Sequence, residues 1–359
     1  MYQSFDISNF RCFKNLSVTN LERVNLIAGV NNVGKTALLE ALFLHCGAYN
    51  PHLTMNLNGL RGIESMKVEL GQMIETPWDS LFNEFDISKE IQLIGDDKTT
   101  GVRKLQLNII RDAEGLMKVS QLIQYDINRT KQTTMFLEFP QVLELLDMSN
   151  GQNSYYLILD HEGIRTVPIP PPPPFPTIYL GSRGRVPLAQ EANRFGKLEL
   201  NRQLNVLTNA LKVVEPRLDD LSIIVVGDTP LIHGDIGLEK FVPLQFMGEG
   251  MARLANFVLA IANSPDGVVL IDEIENGFHH SILTKVWQVV GEMARKFNTQ
   301  VFATTHSLEC IVSAHKAFME SEHYDFSLHR LERINEAIDD VPYDQNALEA
   351  AIEIGLEVR

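Results

Sequence analysis

The distribution of apolar residues along the chain predicts a mixed α/β fold. Apolar and polar positions alternate through residues 1–28, as is typical of short strands. Two largely apolar runs, 268–271 and 301–305, are typical of strands that are buried on both faces of a parallel sheet. Apolar residues spaced three and four apart predict amphipathic helices at 251–262 and 282–297. The pattern therefore predicts an α/β protein whose core sheet is mostly parallel and is flanked by helices.

The middle of the chain has a different pattern, which predicts an antiparallel sheet inserted at about 91–167. Strand-like runs occupy 91–94, 105–109, 122–125 and 155–159. The aspartate, asparagine and glycine residues between these runs are typical of tight turns. Before this sheet, helices are predicted near 64–75 and 78–84. No heptad pattern is sustained, so no long coiled coil is expected to leave the body of the protein.

A proline-rich segment follows the inserted sheet. Seven of the nine residues at 168–176 are proline, which favours an extended connector about 25 Å long. A ligand for a proline-reading domain is the alternative interpretation. A strand is predicted at 177–180, and the helical stretch after it carries Leu200, Leu204, Leu207 and Leu211 on one face. Residues 221–235 are predicted to form a hairpin that turns at 227–230.

Composition sets limits on the size and partners of the protein. Its 359 residues, 45% of them hydrophobic, suffice for one large core or two moderate domains. Lys and Arg number 31 against 46 Asp and Glu, and the net charge of −15 excludes bulk electrostatic binding of nucleic acid. Any contact with nucleic acid must therefore come from a local basic surface.

One segment, 183–217, has such a local excess of basic residues. Its basic members are Arg183, Arg185, Arg194, Lys197, Arg202, Lys212 and Arg217, against three acidic residues. This segment is the candidate surface for nucleic acid or a protein partner, and a solvated helix face is the alternative.

Cysteine usage and hydropathy predict the compartment. The three cysteines, Cys12, Cys46 and Cys310, are far apart, which fits a reducing environment and argues against disulfides and structural zinc. The first residues lack a charged-then-apolar signal sequence. No apolar run reaches the roughly 18–20 residues that a membrane-spanning helix needs. We therefore expect a soluble, cytoplasmic protein without a membrane partner.

The strongest chemical signal is a glycine-rich loop that follows a predicted buried strand. The pattern G-x-x-x-x-G-K-T of a phosphate-binding loop runs from Gly29 to Thr36, and a helix is predicted to begin at Lys35. Backbone N–H groups of such a loop surround the β-phosphate, the lysine reaches the β- and γ-phosphates, and the threonine hydroxyl ligates Mg²⁺. The candidate nucleotide-binding residues are Arg11, Asn31, Asn32, Gly34, Lys35, Thr36 and Ala37. A solvated arginine in a turn is the alternative for Arg11.

Two further predicted strands end in residues that suit hydrolysis of ATP. Asp272 follows the strand at 268–271 and is placed to hold Mg²⁺ together with Thr36. Glu273 can orient or deprotonate the attacking water, and His306, after the strand at 301–305, can contact the γ-phosphate. The catalytic candidates are Lys35, Glu273 and His306, and the candidate metal ligands are Thr36 and Asp272. A solvated Asp-Glu turn and a packed or capping histidine are the alternatives.

These motifs together resemble an ABC-type ATPase head. The motifs are the phosphate-binding loop, Asp272-Glu273, Thr305-His306-Ser307 and Gly248-Glu249-Gly250, with the opening Asn9-Phe10-Arg11-Cys12-Phe13-Lys14. The resemblance is to the chromosome-maintenance (SMC), RecF-like and OLD-like (overcoming lysogenization defect) ATPases, often labelled AAA-family in bacteria. It covers about 1–50 and 177–359 and implies a P-loop NTPase fold with an antiparallel β subdomain and a helical lobe.

The chain departs from this family at two places. The usual Leu-Ser-Gly-Gly signature is Phe246-Met247-Gly248-Glu249-Gly250 here, so the serine hydroxyl is missing. Ser182-Arg183 stands where a glutamine loop is expected. Both departures bear on the rate of hydrolysis rather than on nucleotide binding. In the family, the signature loop faces the phosphate-binding loop of a second copy, so the resemblance implies an ATP-dependent homodimer, or an assembly of dimers. Gly248, Glu249 and Gly250 would then act in trans.

Four parts are predicted along the chain. An ATPase lobe with the inserted sheet spans 1–180, a helical lobe and hairpin spans 181–245, the remaining ATPase motifs span 246–331, and an acidic helix spans 332–359. Only 53 residues follow His306, fewer than the nuclease domain of OLD proteins requires. The leading hypothesis is therefore an ATP-hydrolysing dimer that controls a separate effector such as a nuclease, in defence against phage or plasmids. The alternatives are a DNA-repair ATPase that binds DNA directly and a nucleotide-gated scaffold that scarcely hydrolyses ATP.

Overall fold

The computed structural model describes residues 1–47, 49–60, 76–99, 101–130, 141–149, 151–160, 163–182 and 186–359. The helix predicted near 64–75 lies outside these residues, as do Arg183 and Arg185 of the basic segment.

Strands and helices alternate through most of the chain. The strands are β1 (Tyr2–Phe10), β2 (Phe13–Val18), β3 (Val24–Ala28), β4 (Ile91–Asp97), β5 (Gly101–Ile110), β6 (Gln141–Asp147), β7 (Asn153–Asp160), β8 (Gly163–Val167), β9 (Thr177–Leu180), β10 (Asp220–Val226), β11 (Thr229–Asp235), β12 (Val242–Pro243), β13 (Val268–Ile271), β14 (Gln300–Thr304), β15 (Phe326–Ile334) and β16 (Ala337–Tyr343). The helices are α1 (Lys35–Cys46), α2 (Leu53–Leu60), α3 (Ala113–Thr130), α4 (Leu188–Leu200), α5 (Leu204–Leu211), α6 (Glu249–Ala262), α7 (Leu283–Lys296), α8 (Leu308–Met319) and α9 (Gln345–Glu353). Short 3₁₀ turns occupy Asp79–Leu81, Asn83–Phe85, Leu244–Phe246 and His280–Ile282.

The core sheet confirms the predicted mostly parallel architecture. Its strand order is β16-β15-β3-β14-β13-β9. The strands from β15 to β9 run parallel, and β16 is an antiparallel edge strand. Because parallel strands end at one edge of a sheet, the loops after β3, β13 and β14 all meet at the same edge.

Alternate side chains of the core strands enter two different cores. Leu26 and Ile271 pack with residues of α6, α7 and α8 on one face. Ile27 and Leu270 pack on the other face with α1 and with the antiparallel sheet. This double burial leaves every residue of β3, β13 and β14 buried and explains why these strands are largely apolar.

The antiparallel sheet is larger than the insertion predicted at 91–167. Its order is β2-β1-β4-β5-β6-β7-β8, so the first two strands of the chain belong to it and not to the core sheet. The strand predicted at 122–125 is wrong, because these residues lie within α3. Strand β6 was not anticipated, and the helix predicted at 78–84 is two separate 3₁₀ turns.

The proline-rich connector, the leucine-bearing stretch and the hairpin fall near their predicted places. Residues 168–176 form neither helix nor strand and join β8 to β9. The predicted helical stretch is two helices, α4 and α5. Leu204, Leu207 and Leu211 all lie on α5, whereas Leu200 ends α4 and is 85% exposed, so it does not belong to their face. Strands β10 and β11 form the predicted hairpin, joined by Gly227 and Asp228.

The C-terminal segment differs from the predicted single helix. Residues 337–343 form β16, which pairs with β15, and α9 follows it. Among the described residues, no helix combines the length and the apolar character required to cross a bilayer.

Candidate functional site

The loop between β3 and α1 requires glycine at its ends. Gly29 and Gly34 have φ values of 137° and 109°, which side chains rarely tolerate. A Cβ atom on Gly34 would lie 2.6 Å from the Sγ atom of Cys12 and 2.7 Å from the Cζ atom of Phe13. The turn that joins β1 to β2 therefore packs directly against Gly34, at the start of α1.

Lys35 is folded back onto this loop. Its ammonium group donates hydrogen bonds to the carbonyl oxygens of Gly29, at 2.6 Å, and Val30, at 3.1 Å. Burial lowers the pKa of Lys35, and the nearby carboxylates of Glu275, Asp272 and Glu273 oppose this shift. The lysine is therefore held within the loop, with several acidic groups close by.

One buried carboxylate, that of Asp272, joins the ends of four elements. It accepts hydrogen bonds from the hydroxyls of Thr36 at 3.1 Å, Thr304 at 2.7 Å and Ser182 at 3.2 Å. These residues lie at the start of α1, at the end of β14 and after β9, respectively. The parallel register of β9, β13 and β14 aligns their ends and so produces this convergence.

The oxygen groups at this point suit Mg²⁺. A threonine hydroxyl and one carboxylate are the hard oxygen donors that Mg²⁺ takes from proteins, with phosphates and water as the remaining ligands. Asp272 is only 5% exposed, and its oxygen atoms already face the Thr36 hydroxyl. The donor set therefore fits a magnesium–nucleotide complex.

Glu273 follows Asp272 in a left-handed backbone conformation, with φ of 49°. Its backbone N–H donates to the Thr304 hydroxyl oxygen at 2.8 Å, and its carboxylate accepts a hydrogen bond from the Asn276 side chain at 2.6 Å. Its carbonyl oxygen accepts a hydrogen bond from Arg253 at 2.6 Å. The side chain and both backbone polar groups of Glu273 are thus held.

His306 is engaged by Glu275, a residue that the sequence interpretation did not single out. One carboxylate oxygen of Glu275 accepts a hydrogen bond from the backbone N–H of His306 at 3.0 Å and lies 3.2 Å from its Nδ1 atom. The imidazole is half exposed, whereas the Glu275 side chain is 10% exposed. The spacing Glu273-x-Glu275 was the only sequence signal for a second acidic group on this side.

The signature residues lie at the start of α6. Gly248 and Glu249 are exposed, and a Cβ atom on Gly248 would have open space around it. A Cβ atom on Gly250 would lie 3.0 Å from the carbonyl oxygen of Gly277, so the signature loop packs against the segment after Glu275.

The remaining predicted nucleotide contacts divide into two groups. Asn31 and Asn32 are exposed in the loop, whereas the Ala37 side chain is buried, so only its backbone can face a ligand. The predicted contact of Arg11 with nucleotide stays a prediction. Its guanidinium pairs with Glu40 of α1 at 3.1 Å and donates to the Ser80 carbonyl oxygen at 2.9 Å. It is not a solvated arginine, because its side chain is only 10% exposed.

The candidate basic surface at 183–217 is weaker than its sequence indicates. Arg194 is 8% exposed, and burial lowers its pKa despite the opposing charge of Glu191. Arg217 is already paired with Glu215 at 2.8 Å. Lys197, Arg202 and Lys212 are exposed, as is the paired Arg217. Among the described residues of this segment, the burial of Arg194 and the pairing of Arg217 therefore reduce the free positive charge.

Comparisons with known proteins agree with this geometry. The family model described as "AAA domain, putative AbiEii toxin, Type IV TA system" matches residues 24–312. An ATP/GTP phosphatase of Helicobacter pylori is 25% identical over 349 residues, which cover 87% of this chain and 86% of that protein. The DNA replication and repair protein RecF of Clostridium beijerinckii is 25% identical over 166 residues, or 45% of this chain and 42% of that protein.

Among solved structures, an SMC head bound to the C-winged helix domain of ScpA is similar over 98% of this chain and 99% of that chain. The TM-score is 0.50 and the sequence identity is 11%, so the likeness is one of fold. The chain therefore belongs to the AAA-domain ATPase family that the matching model describes, and it has the fold of an ABC-type ATPase head of the SMC and RecF kind.

Proposed function

We propose that the protein binds ATP with Mg²⁺ and hydrolyses it to ADP and phosphate. The observation that carries this proposal is the convergence on Asp272. Its carboxylate lies within hydrogen-bonding distance of the hydroxyls of Thr36 and Thr304, with Glu273 beside it. This arrangement unites the phosphate-binding loop with a potential base at one edge of the core sheet.

Each residue has a defined task in this mechanism. The backbone N–H groups of the loop and the start of α1 bind the β-phosphate, and Lys35 exchanges its loop carbonyls for phosphate oxygens. Thr36 and Asp272 would hold Mg²⁺, which when bound neutralises charge on the phosphate oxygens. Glu273 orients a water molecule and accepts its proton as the water oxygen bonds to the γ-phosphorus. The bond to the β–γ bridging oxygen breaks, and ADP leaves with that oxygen.

We further propose that hydrolysis takes place in a head-to-tail homodimer. In such a dimer, the exposed Gly248 and Glu249 of one copy would meet the nucleotide of the other. Two apolar side chains support this arrangement, because Val30 in the phosphate-binding loop is 65% exposed and Phe246 beside the signature is 82% exposed. A surface that unites these two loops would bury both side chains.

The biological role that we propose is control of a separate effector, such as a nuclease, in defence against phage or plasmids. Two findings on related proteins support it. The family description refers to a putative toxin of a Type IV TA system, and the structurally similar SMC head carries a bound domain of another protein, ScpA. Direct action on DNA has less support, because Arg194 is buried and Arg217 is paired.

Phosphate release by the purified protein tests the enzymatic proposal. Wild type should release phosphate from ATP only when Mg²⁺ is present. Glu273→Gln should bind ATP normally but lower kcat by about a hundredfold or more, because the base is lost while its shape is kept. Lys35→Ala should lose ATP binding itself.

Matched controls are Glu292→Gln and Lys285→Ala, which change the same residue types at exposed positions of α7. Both controls should behave as wild type. A wild-type protein that binds ATP and dimerises without releasing phosphate would instead be a nucleotide-gated scaffold, which the missing signature serine would explain. Wild-type turnover that survives Glu273→Gln would contradict the assigned base.

A further inference from the structure

Arg253 connects the signature helix to the strand end that carries the acidic pair. It lies one turn into α6, after Glu249. Its terminal Nη2 atom donates hydrogen bonds to the carbonyl oxygens of Asp272 at 3.1 Å and of Glu273 at 2.6 Å. A single nitrogen of the guanidinium therefore holds two consecutive backbone carbonyls at the candidate site.

The backbone that Arg253 holds is in an unfavourable conformation. Glu273 has φ of 49°, in the left-handed region, where residues with a Cβ atom are uncommon. Such a conformation persists only where neighbouring groups fix it. Three groups do so here: the Thr304 hydroxyl oxygen accepts from the Glu273 N–H, and both Arg253 and the Asn276 backbone N–H donate to the Glu273 carbonyl.

The surroundings of Arg253 also indicate a specific role. Its guanidinium lies 5.6 Å from the centre of the Phe257 ring, one turn further along α6. Its Nε atom is buried without a hydrogen-bond partner. Burial lowers the pKa of the Arg253 guanidinium, and nearby acidic residues, Glu249 first among them, oppose this shift. The Nε atom thus loses its hydrogen bonds to water without replacement, whereas Nη2 donates hydrogen bonds to the two carbonyl oxygens.

A second contact joins the same two regions. A Cβ atom on Gly250 would lie 3.0 Å from the Gly277 carbonyl oxygen, and one on Gly277 would lie 3.0 Å from the Cγ atom of Glu249. The signature loop is therefore packed without spare space against the segment that follows the acidic pair. The start of α6 therefore contacts this segment by packing at Gly277 and contacts Glu273 through Arg253.

We propose that Arg253 is a positioning residue that fixes the Glu273 carboxylate for proton transfer and connects it to the signature helix. This inference rests on the proposed ATP hydrolysis. In the proposed dimer, the start of α6 contacts the nucleotide of the other copy, so Arg253 links the state of one nucleotide site to the geometry of the other. Arg253 itself touches only backbone atoms of the acidic pair in this role.

Arg253→Lys tests the proposal in the full-length protein. Lysine keeps the positive charge and most of the aliphatic stem, but its nitrogen ends about one bond short of Nη2 and cannot reach both carbonyls. We expect kcat to fall about tenfold or more, whereas the Kd for ATP stays within about twofold of wild type. A residue needed only for folding would change ATP binding and thermal stability together with kcat.

A double variant shows whether Arg253 acts through Glu273. In the Glu273→Gln background, Arg253→Lys should cause little further loss of the residual rate, because the positioned group is already absent. The matched control is Arg295→Lys, since Arg295 also lies on a helix beside the core sheet, with its guanidinium 5.9 Å from the Phe318 ring. This control should keep the wild-type kcat.

The possible results separate this inference from the proposed function. A wild-type protein without phosphate release would refute the proposed hydrolysis, and this inference with it. Wild-type turnover together with an unchanged kcat in Arg253→Lys would overturn the inference alone, as would equal loss in kcat and in ATP affinity. If Arg253→Lys fails to fold, kcat and the Kd for ATP are measured in Arg253→Gln instead, with the same expected and contradicting results.

Discussion

Glu275 fixes the position of His306. One of its carboxylate oxygens lies 3.2 Å from the Nδ1 atom of the imidazole. The same Glu275 oxygen also accepts from the backbone N–H of His306, which anchors the residue directly after β14. Glu275 thus orients the imidazole that we assign to the γ-phosphate.

Glu275→Gln should therefore lower kcat about tenfold while the Kd for ATP changes little. The glutamine amide keeps the size of the side chain but places a weaker acceptor, or a donor, against Nδ1, so the imidazole loses its fixed orientation. The control is Glu309→Gln, which neutralises an exposed carboxylate just beyond the same strand end. Glu309 accepts from Ser307 at 2.9 Å. Equal rates in wild type and Glu275→Gln would contradict the orienting role.

These residues show how far the sequence predicts a site. Lys35 and Asp272 are recognisable because each follows a strand signal within a local pattern, and strand ends meet by the rules of parallel sheets. Arg253 and Glu275 acquire their roles from contacts 20 and 31 residues away in sequence, which no local pattern encodes. Arg194 was misjudged for the same reason, because its burial depends on how its helix packs.

At the scale of secondary-structure elements, the C-terminal end of α1 is locked into the antiparallel sheet by a ring of hydrogen bonds. Arg103 of β5 donates to the hydroxyl oxygen of Tyr2 in β1 at 2.6 Å. The Tyr2 hydroxyl lies 2.7 Å from the Nδ1 atom of His45, whose Nε2 atom lies 3.1 Å from the Arg103 carbonyl oxygen. A carbonyl accepts only, so Nε2 carries the proton and Nδ1 accepts from Tyr2. The ring is complete only when His45 is neutral.

Burial, reinforced by the charge of Arg103, lowers the pKa of His45 to about 3. Above about pH 6.5 the imidazole is neutral in the folded and the unfolded protein and contributes no pH dependence. Between about pH 6.5 and pH 3, the unfolded chain takes up a proton that the folded protein excludes. We expect this one group to lower the free energy of unfolding by about 1.4 kcal/mol per pH unit as the pH falls through that window.

Urea unfolding at several pH values between about 6.5 and 4 measures this slope. His45→Gln should reduce the slope whatever its effect on stability at neutral pH, since the proton-binding group is gone. His323→Gln changes an exposed histidine and should leave the slope as in wild type. The same slope in His45→Gln and wild type would show that other groups control the acid sensitivity. The neighbours that face His45 are Tyr2, Phe5, Arg103 and Asp97.

Helix α3 illustrates why one element was predicted wrongly. Residues 122–125 include leucine, isoleucine and tyrosine, and so short an apolar run fits a strand as well as a helix. The helical spacing is visible earlier in α3, where Leu116 and Val119 are three residues apart. Both side chains pack with Val142 and Tyr156 of the antiparallel sheet. Strands β13 and β14 of the core sheet were predicted correctly because burial on both faces leaves a largely apolar run.

At the scale of the whole molecule, the candidate site and the proline-rich connector lie at opposite edges of the core sheet. Its carboxyl edge carries Asp272 and Glu273. The proline-rich connector reaches the opposite edge, where the Pro176 carbonyl accepts from the N–H of Val268, the first residue of β13. The proposed nucleotide site and the proposed dimer contact therefore share one edge of the sheet. Ile169, an exposed apolar residue of the connector, can therefore serve as the control position for Phe246, which is exposed beside the signature.

Phe246→Asp should weaken the ATP-dependent dimer without affecting ATP binding by the monomer. Phe246 is 82% exposed beside the signature loop, and burial of a phenylalanine against a partner contributes about 2 kcal/mol, or roughly a thirtyfold change in Kd. The new carboxylate also adds a charge to a surface that already carries a triphosphate in the assembled state. Sedimentation equilibrium in the Glu273→Gln background, with ATP and Mg²⁺, measures the dimer before hydrolysis dissolves it.

The matched control is Ile169→Asp, which places the same charge on a side chain that is 87% exposed in the proline-rich connector. This variant should dimerise like its parent, because the connector leads to the far edge of the sheet. Equal weakening by both substitutions would indicate a general effect of added negative charge on a protein that already carries −15. Full dimerisation of Phe246→Asp would place the contact between copies away from the signature loop, and Gly248 could not then act on the partner's nucleotide.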